Sequence, residues 1–285
     1  MIIDILLITL GLAGLIFASV TDLKTREVPD WLNFSLISIG FALRLIHSLT
    51  YNDWPFFLYA LLGFSVMFIV GNLMYYLKQW GGGDTKLLMA LGVIFATSPK
   101  FLTQRLDSLP FLLILFINII LAGAVYGLIY SIYLALKNKR KFTREIKNLL
   151  PKYKKYRNIS LLLSLLLIIA GIFIKIKLIK LSLLMLALLV LIYLYAYIFI
   201  RAIENSCMLK VISAKDLTPG DWVISQKLIS RFKISNLGIE ESQIEAIKKS
   251  NIKQLIVKEG IPFVPSFLLG TLLSLILGNI FYFLF

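Results

Sequence analysis

Two aspartates at the ends of apolar segments are the residues of this sequence best suited to act together in chemistry. Asp22 follows the apolar run of residues 2–21, and Asp84 follows three glycines in GGGDTKLLMALG, at the start of another apolar run. An ionised carboxylate is costly to hold beside hydrocarbon, so such a residue is usually paired, hydrated or functional. The two are 84 − 22 = 62 residues apart, and the apolar segments between them return the chain to the same depth. We therefore expect one pocket to contain both carboxyls.

A pair of neighbouring carboxyls has a well-defined chemistry. Two such groups a few ångströms apart cannot comfortably both ionise, so the pair holds one proton. The ionised member can take a proton from water, and the protonated member can hydrogen-bond to the oxyanion that forms when this water attacks a carbonyl. This is the acid/base arrangement of an aspartic protease, and it requires no cofactor or metal. The single cysteine and single histidine of the chain do not provide a Cys/His zinc site.

Composition places these aspartates in a membrane protein. The chain has 285 residues, of which 59% are hydrophobic and 16% charged, and its mean hydropathy is +0.87. These values predict an all-α polytopic membrane protein with a bundle of about six to eight transmembrane helices. Spans are predicted at residues 2–21, 31–49, 55–77, 86–97, 109–136, 159–174, 178–200 and 262–285. The fourth and sixth of these segments are short.

The polar residues divide the chain into parts. The predicted parts are N-terminal helices carrying both aspartates (1–136), a basic loop (137–158), two further spans (159–200), an insertion (201–261) and a last span (262–285). The insertion reads as a small α+β unit, with strands at 207–212 and 252–257 and an amphipathic helix at 238–250. It could pack over the ends of the helices or provide a docking surface.

The distribution of basic residues predicts the orientation. The net charge is +15, but Lys and Arg lie in loops between apolar runs rather than on one continuous polar face, which disfavours a nucleic-acid partner. By the positive-inside rule, the loops after the first and third spans and the basic loop are cytoplasmic. The N-terminus is then outside, and both aspartates and the insertion are at the cytoplasmic face of the cell membrane. The basic loop is expected to determine topology and to bind anionic lipid.

Three segments together resemble a known family. TDLKTREVPDWLN after the first helix, GGGDTKLLMALG at the start of a later helix and EGIPFVPSFLLG before the last one are similar to the type IV prepilin peptidases, including the archaeal preflagellin peptidases. These are GxGD-type membrane aspartyl proteases. The resemblance covers nearly the whole chain apart from the basic loop and parts of the insertion. By this match Asp22 and Asp84 correspond to the catalytic pair, and Gly81 and Gly83 to the glycines of GxGD.

The resemblance implies an activity and its partners. The expected reaction removes a short basic leader from pilin-like or archaellin precursors on the cytoplasmic side, just before their hydrophobic segment. Bacterial members often carry a tetracysteine domain and also methylate the new N-terminus. Here the loop after the first helix is short and cysteine is nearly absent. We therefore expect peptidase activity without N-methyltransferase activity, with the choice between pilin and archaellin substrates open.

Further residues near the two motifs have alternative roles. Glu27 and Asp30 could receive the basic leader, or Asp30 could cap the second helix. Lys86 could stabilise the ionised form of Asp84, or extend to lipid headgroups. Pro262 and Pro265 could shape the mouth of the pocket, or simply begin the last helix.

The glycines also have two possible explanations. Gly81, Gly82 and Gly83 can adopt positive φ and lack a Cβ, so a substrate backbone could approach Asp84; a plain flexible turn is the alternative. Asn118, in the middle of a span, is predicted to form a hydrogen bond between helices.

Two other classes of protein fit parts of the pattern. A secondary transporter could use the same carboxylates as a proton or cation relay. Against this, the sequence has no internal repeat, and both acids are at helix ends rather than at mid-membrane. A noncatalytic scaffold of a pilus or archaellum machine would leave the paired acids without a purpose.

Overall fold

The computed structural model describes residues 2–99, 109–235, 238–250 and 252–279. The helices are α1 (Ile2–Thr25), α2 (Asp30–Tyr51), α3 (Trp54–Tyr76), α4 (Gly82–Ile94), α5 (Phe111–Lys137), α6 (Lys139–Lys152), α7 (Lys154–Phe173), α8 (Lys177–Ser206), α9 (Gln226–Phe232), α10 (Glu241–Lys248) and α11 (Val264–Ile276). The described residues also form three strands: β1 (Leu209–Ser213), β2 (Trp222–Val223) and β3 (Gln254–Lys258). The described residues divide into two compact units, Met1–Leu128 with Gly260–Phe285, and Ile129–Glu259.

Six of the described helices are long and apolar enough to cross a membrane: α1, α2, α3, α5, α7 and α8. The prediction of a multi-pass helical membrane protein is therefore confirmed. The predicted span at 86–97 is not among the six. The corresponding helix, α4, has 13 residues, a length of about 20 Å against a hydrocarbon core of about 30 Å. The predicted last span, 262–285, contains α11, and its residues 280–285 lie outside the described part of the chain.

Helix α4 is the buried centre of the first unit. Every residue from Leu87 to Ile94 is buried, and the helix packs on α1, α2 and α3. The helix α3 approaches α4 so closely at Gly63 and Gly92 that neither position has room for a Cβ. The short helix that carries Asp84 is thus enclosed by the spans around it.

A buried arginine holds the far end of α4. Arg44 of α2 is fully buried; its Nη2 donates to the carbonyl of Ile94 at 3.0 Å and to the Thr97 hydroxyl at 3.1 Å, and its Nη1 donates to the carbonyl of Phe56 at 3.1 Å. A cation at the C-terminus of a helix binds carbonyls that have no partner within the helix and complements the helix dipole. Arg44 therefore fixes the C-terminal end of α4 against α2.

The hydrogen bond predicted for Asn118 is confirmed. Its Nδ2 in α5 donates to the Ser274 hydroxyl and to the carbonyl of Gly278, both at 2.9 Å. These bonds join α5 to α11 and its C-terminal end. A buried amide thereby holds the last helix in the first unit.

The second unit contains α6, α7, α8 and the insertion. The segment predicted as a basic loop, 137–158, is helical instead: α6 covers Lys139–Lys152, and α7 begins at Lys154. Its apolar residues explain this, because Phe142, Ile146 and Leu149 recur at helical spacing and pack on α8. The basic residues of α6 occupy its other faces.

The predicted α+β insertion is confirmed. Its antiparallel sheet has the order β1-β3-β2, and α10 contributes Ile244 and Ile247 to the apolar core beneath it. The sequence predicted β1, β3 and α10 to within a few residues. It did not predict the two-residue strand β2 or the helix α9.

Candidate active site

Asp22 lies in the last turn of α1, with 5% of its surface exposed. Its Oδ2 accepts a hydrogen bond of 2.9 Å from the backbone N–H of Val264, the first residue of α11. The N-terminus of a helix carries unpaired N–H groups and a partial positive charge, both of which stabilise a carboxylate. The buried carboxyl of Asp22 is therefore held by the start of the last helix.

Asp84 lies in the first turn of α4, outside the six helices that are long enough to span. Its Oδ2 accepts a hydrogen bond of 3.1 Å from the backbone N–H of Gly81. The next residue, Thr85, donates from its hydroxyl to the carbonyl of Gly71 in α3 at 3.2 Å. The start of α4 is thus fixed both locally and against a neighbouring helix.

The structure brings the two predicted carboxyls into one electrostatic environment. Burial and, to a smaller extent, the charge of Asp22 raise the pKa of Asp84 to about 7, while the N–H of Gly81 opposes this change. A carboxyl with such a pKa is largely protonated in mildly acidic solution and readily exchanges its proton near neutrality. The charge of Asp22 therefore acts on Asp84, and a catalytic pairing of the two carboxyls stays a prediction.

The three glycines before Asp84 differ in their surroundings. None of them adopts positive φ. A Cβ at Gly83 would lie 3.2 Å from the Cβ of Val28 and 3.3 Å from its backbone nitrogen and oxygen, so Gly83 accommodates the chain's own loop. Gly81 and Gly82 are exposed, and no other group crowds the Cβ position of Gly82. The space beside Asp84 is therefore open at Gly81 and Gly82.

Lys86 pairs with Asp30. Its Nζ lies 2.6 Å and 2.7 Å from the two carboxylate oxygens of Asp30, and it also lies over the ring of Phe34, 5.6 Å from the centroid. The predicted capping role of Asp30 is wrong, because Pro29 is the N-cap of α2 and Asp30 is its first residue. Glu27 is exposed in the loop between α1 and α2.

Pro262 and Pro265 lie on either side of Val264, whose N–H donates to Asp22. Pro265 is in the first turn of α11, where its missing N–H costs no hydrogen bond, and Pro262 precedes the helix. Pro265 therefore has a geometric role, because it occupies a position at which a helix tolerates proline. Both prolines lie within two residues of Val264 in the sequence.

Two residues that support the site were not predicted. Asn33 of α2 is fully buried, and its Nδ2 donates to the carbonyl of Gly83 at 3.2 Å. Trp80 packs its ring on Phe263 and Phe267, with centroids 5.6 Å and 5.2 Å apart, and so joins the glycine segment to α11. Two sequence signals could have identified them: Asn33 is a polar residue in an apolar helix, and Trp80 directly precedes GGGD.

The ionisable groups of the site are the carboxyls of Asp22 and Asp84. Within the described ranges, no group of three or more His, Cys, Asp or Glu side chains could hold a metal ion. A coupled pair that holds one proton has the groups needed to remove a proton from water and to donate one to a developing oxyanion. The arrangement is therefore suited to hydrolysis by activated water.

Comparison with known proteins relates the same part of the chain to peptidases. Residues 9–128 match the model of the Type IV leader peptidase family. This range contains both aspartates, the three glycines and most of the first unit. The match agrees with the resemblance drawn from the sequence motifs.

Individual relatives carry related names. The chain is 26% identical to prepilin peptidase EppA of Methanothermobacter thermautotrophicus over 58% of this chain and 45% of the relative. It is 37% identical to preflagellin peptidase of Methanococcus maripaludis over 36% of this chain and 44% of the relative. It is 30% identical to preflagellin peptidase of Methanococcus voltae over 45% of this chain and 56% of the relative. The chain thus spans about half the length of the curated relatives it matches.

Proposed function

We propose that the chain is a membrane aspartyl endopeptidase, on the basis of the match of residues 9–128 to the Type IV leader peptidase family. Its substrates are precursors of pilin-like proteins or archaellins, from which it removes a short basic leader. The names of the relatives, prepilin peptidase and preflagellin peptidase, support this class of substrate. The proposed activity is proteolysis alone, without methylation of the new N-terminus.

The observation that carries the proposal is that the charge of Asp22 acts on Asp84, while the two carboxyls have different hydrogen-bond partners. The carboxyl of Asp22 accepts a hydrogen bond from the backbone N–H of Val264 at the start of α11, which offsets part of the cost of ionising a buried carboxyl. Asp84 has its pKa raised to about 7 by burial and by the charge of Asp22. These environments support unequal roles for the two carboxyls near neutral pH.

In the proposed mechanism Asp22 is the general base and Asp84 the general acid. Asp22 takes a proton from a water molecule, which attacks the scissile carbonyl of the precursor. Asp84 donates its proton toward the carbonyl oxygen as negative charge develops there. Collapse of the tetrahedral intermediate breaks the C–N bond: Asp22 gives the proton that it took from water to the leaving amine, and a hydroxyl of the intermediate returns a proton to Asp84. The pair then holds one proton again.

The surroundings of Asp84 leave access for a substrate backbone. Gly81 and Gly82 are exposed, and the absence of side chains there keeps the approach to Asp84 open. Pro262 and Pro265, beside the helix start that binds Asp22, are proposed to shape the other side of this approach. Glu27 and Asp30 are proposed to receive the basic leader.

The proposed active site lies at the cytoplasmic face of the cell membrane, with the N-terminus outside. The basic residues of α6 and of the loops after α1 and α3 support this orientation by the positive-inside rule. A cysteine replacing Lys147, in a Cys207→Ser background, should resist impermeant thiol reagents in intact cells. Rapid labelling there would overturn the orientation.

Cleavage of precursors in detergent tests the activity. Purified wild type, Asp22→Asn, Asp84→Asn and the control Asp53→Asn are mixed with a pilin-like and an archaellin-like precursor. Asp53 is an exposed carboxylate that precedes α3. Wild type and the control should cut before the hydrophobic segment, leaving an unmethylated N-terminus by mass spectrometry, and the other two variants should be inactive.

The outcomes also distinguish the alternatives. Activity in a folded Asp84→Asn variant would remove Asp84 from the mechanism. Failure of folded wild type to cut either precursor would contradict the proposal, and proton flux in liposomes would then test the transporter alternative. The position of both aspartates at helix ends supports the peptidase over a relay through the membrane.

A further inference from the structure

A groove of about 340 Å³ opens in the second unit, away from both aspartates in the sequence. One wall comes from α6, another from the C-terminal end of α8, and the floor from two strands of the insertion sheet. The lining includes Lys141, Arg144, Glu145, Asn205, Val211 and Ile256. The groove therefore combines charged walls with an apolar floor.

The floor is the uncovered face of the sheet. Leu255 and Val257 point into the core of the insertion and are 4% exposed. Val211 and Ile256 are paired across β1 and β3 on the opposite face, where they are 60% and 44% exposed. Trp222 lies on this face too, since it is the register partner of Lys258, two residues from Ile256. Apolar side chains of a soluble sheet are rarely left in water in this way, so the face is suited to an apolar partner.

The walls are suited to an anion. Lys141 and Arg144 are exposed, one turn apart on α6. The carboxylate of Glu145 accepts a hydrogen bond of 3.0 Å from Nδ2 of Asn205, so it is already engaged within the wall. The helix as a whole carries six cations and one carboxylate. A ligand with a negative group and an adjoining apolar part would match both walls and floor.

The length of α8 places the groove at the level of lipid headgroups. Residues 181–200 contain no charged residue, and their 20 positions span about 30 Å, the thickness of the hydrocarbon core. Asn205 and Ser206 come four and five residues after Arg201, about 6–8 Å farther along the helix. The headgroup layer on each side of a bilayer is about as thick as this distance.

Aromatic residues mark the same level. Close to the end of this apolar stretch, the ring of Tyr153 contacts those of Tyr156 and Tyr197, with centroids 6.1 Å and 5.6 Å away. Tyrosines are enriched at the boundary between hydrocarbon and water, where the ring is apolar and the hydroxyl is hydrated. The groove thus lies just beyond a tyrosine belt.

We propose that this groove binds an anionic phospholipid of the surrounding membrane. Lys141 and Arg144 bind the phosphate, and the glycerol with the first carbons of the acyl chains lies against Val211 and Ile256. The chemistry is charge pairing with a phosphate together with burial of apolar surface. This role is independent of the proposed peptidase activity.

A site-directed quenching experiment tests the proposal. The full chain carrying Val211→Cys and Cys207→Ser is labelled with bimane and reconstituted in nanodiscs. Nitroxide-labelled phosphatidylglycerol should quench the dye at lower mole fraction than nitroxide-labelled phosphatidylcholine. The groove variant Lys141→Gln/Arg144→Gln should require about fivefold or more phosphatidylglycerol for equal quenching, since a single cation near an anionic bilayer contributes about this factor.

A matched variant separates a site from general attraction. Lys139→Gln/Lys147→Gln removes the same charge from the same helix at exposed positions outside the groove lining. It should retain at least half of the wild-type preference. Equal losses in the two variants would overturn the site in favour of diffuse attraction. Equal quenching by both lipids, or displacement of phosphatidylglycerol by millimolar glycerol phosphate, would also overturn it.

Discussion

The Oδ2 of Asp22 accepts a hydrogen bond of 2.9 Å from the backbone N–H of Val264, 242 residues later in the chain. This bond ties the end of the first helix to the start of α11. It gives a buried carboxyl a donor at a helix N-terminus, where negative charge is favoured. The carboxyl of Asp22 therefore has a structural role as the cap of α11, in addition to the catalytic role proposed for it.

Two substitutions of Asp22 should separate these roles. Asn retains an oxygen that can accept from Val264, whereas Ala leaves this buried N–H without a partner. Both variants should lose cleavage, but only Asp22→Ala should lower the free energy of unfolding, by about 1–2 kcal/mol. Thermal unfolding in detergent and precursor cleavage measure the two effects. Equal destabilisation by Asn and Ala would contradict the capping role.

The raised pKa of Asp84 predicts how cleavage depends on pH. If Asp84 donates a proton, the active form is lost as pH rises through its pKa of about 7. The value of kcat/KM should therefore fall about tenfold per pH unit well above neutrality. Initial rates from pH 5 to 9 measure this limb, with circular dichroism as a control for folding. An undiminished rate at pH 9 would exclude Asp84 as the acid.

Neighbouring glycines should respond differently to alanine. The Cβ of Gly83→Ala would lie 3.2–3.3 Å from atoms of Val28, including its backbone, so the loop after α1 must shift. This crowding should destabilise the protein by about 1–3 kcal/mol. Gly82→Ala meets no atom within 4 Å, and should leave stability unchanged or raise it by up to about 1 kcal/mol. Thermal unfolding of the two variants is the measurement, and a reversed order would contradict the packing.

The shared membrane depth of Asp22 and Asp84 could be predicted because it depends only on the number of helices between them. The helix α2 leads away from the end of α1, and α3 returns to the start of α4. Hydrophobic length identifies such segments in a sequence. The helical nature of α6 was missed because its dense charge obscured a short apolar stripe, which becomes visible only from its packing on α8.

The partners within the site could not be predicted in the same way. The bonds from Val264 to Asp22 and from Asn33 to Gly83 join residues far apart in sequence, and no local pattern encodes them. The role of Gly83 likewise depends on where Val28 lies. Tertiary contacts of this kind follow from how helices pack, which a single sequence does not specify.

The ion pair of Asp30 and Lys86 predicts a competition at the entrance to the site. If Asp30 receives the basic leader, Lys86 competes with that leader for the same carboxylate, from which it lies 2.6 Å away. Asp30→Asn should then raise KM, whereas Lys86→Gln should lower it, each by up to about fivefold for an exposed pair. In both variants kcat should stay the same, because neither residue is proposed to act in the chemical step.

A second precursor provides the control for this competition. When the basic residues of the leader are replaced by glutamine, both variants should cleave it with the KM of wild type. Stability should change little, because the side chains of Lys86 and Asp30 are 34% and 59% exposed, and such pairs contribute less than about 1 kcal/mol. Shifts of KM in the same direction in both variants, or equal shifts with the neutral leader, would mean that Asp30 does not bind the leader.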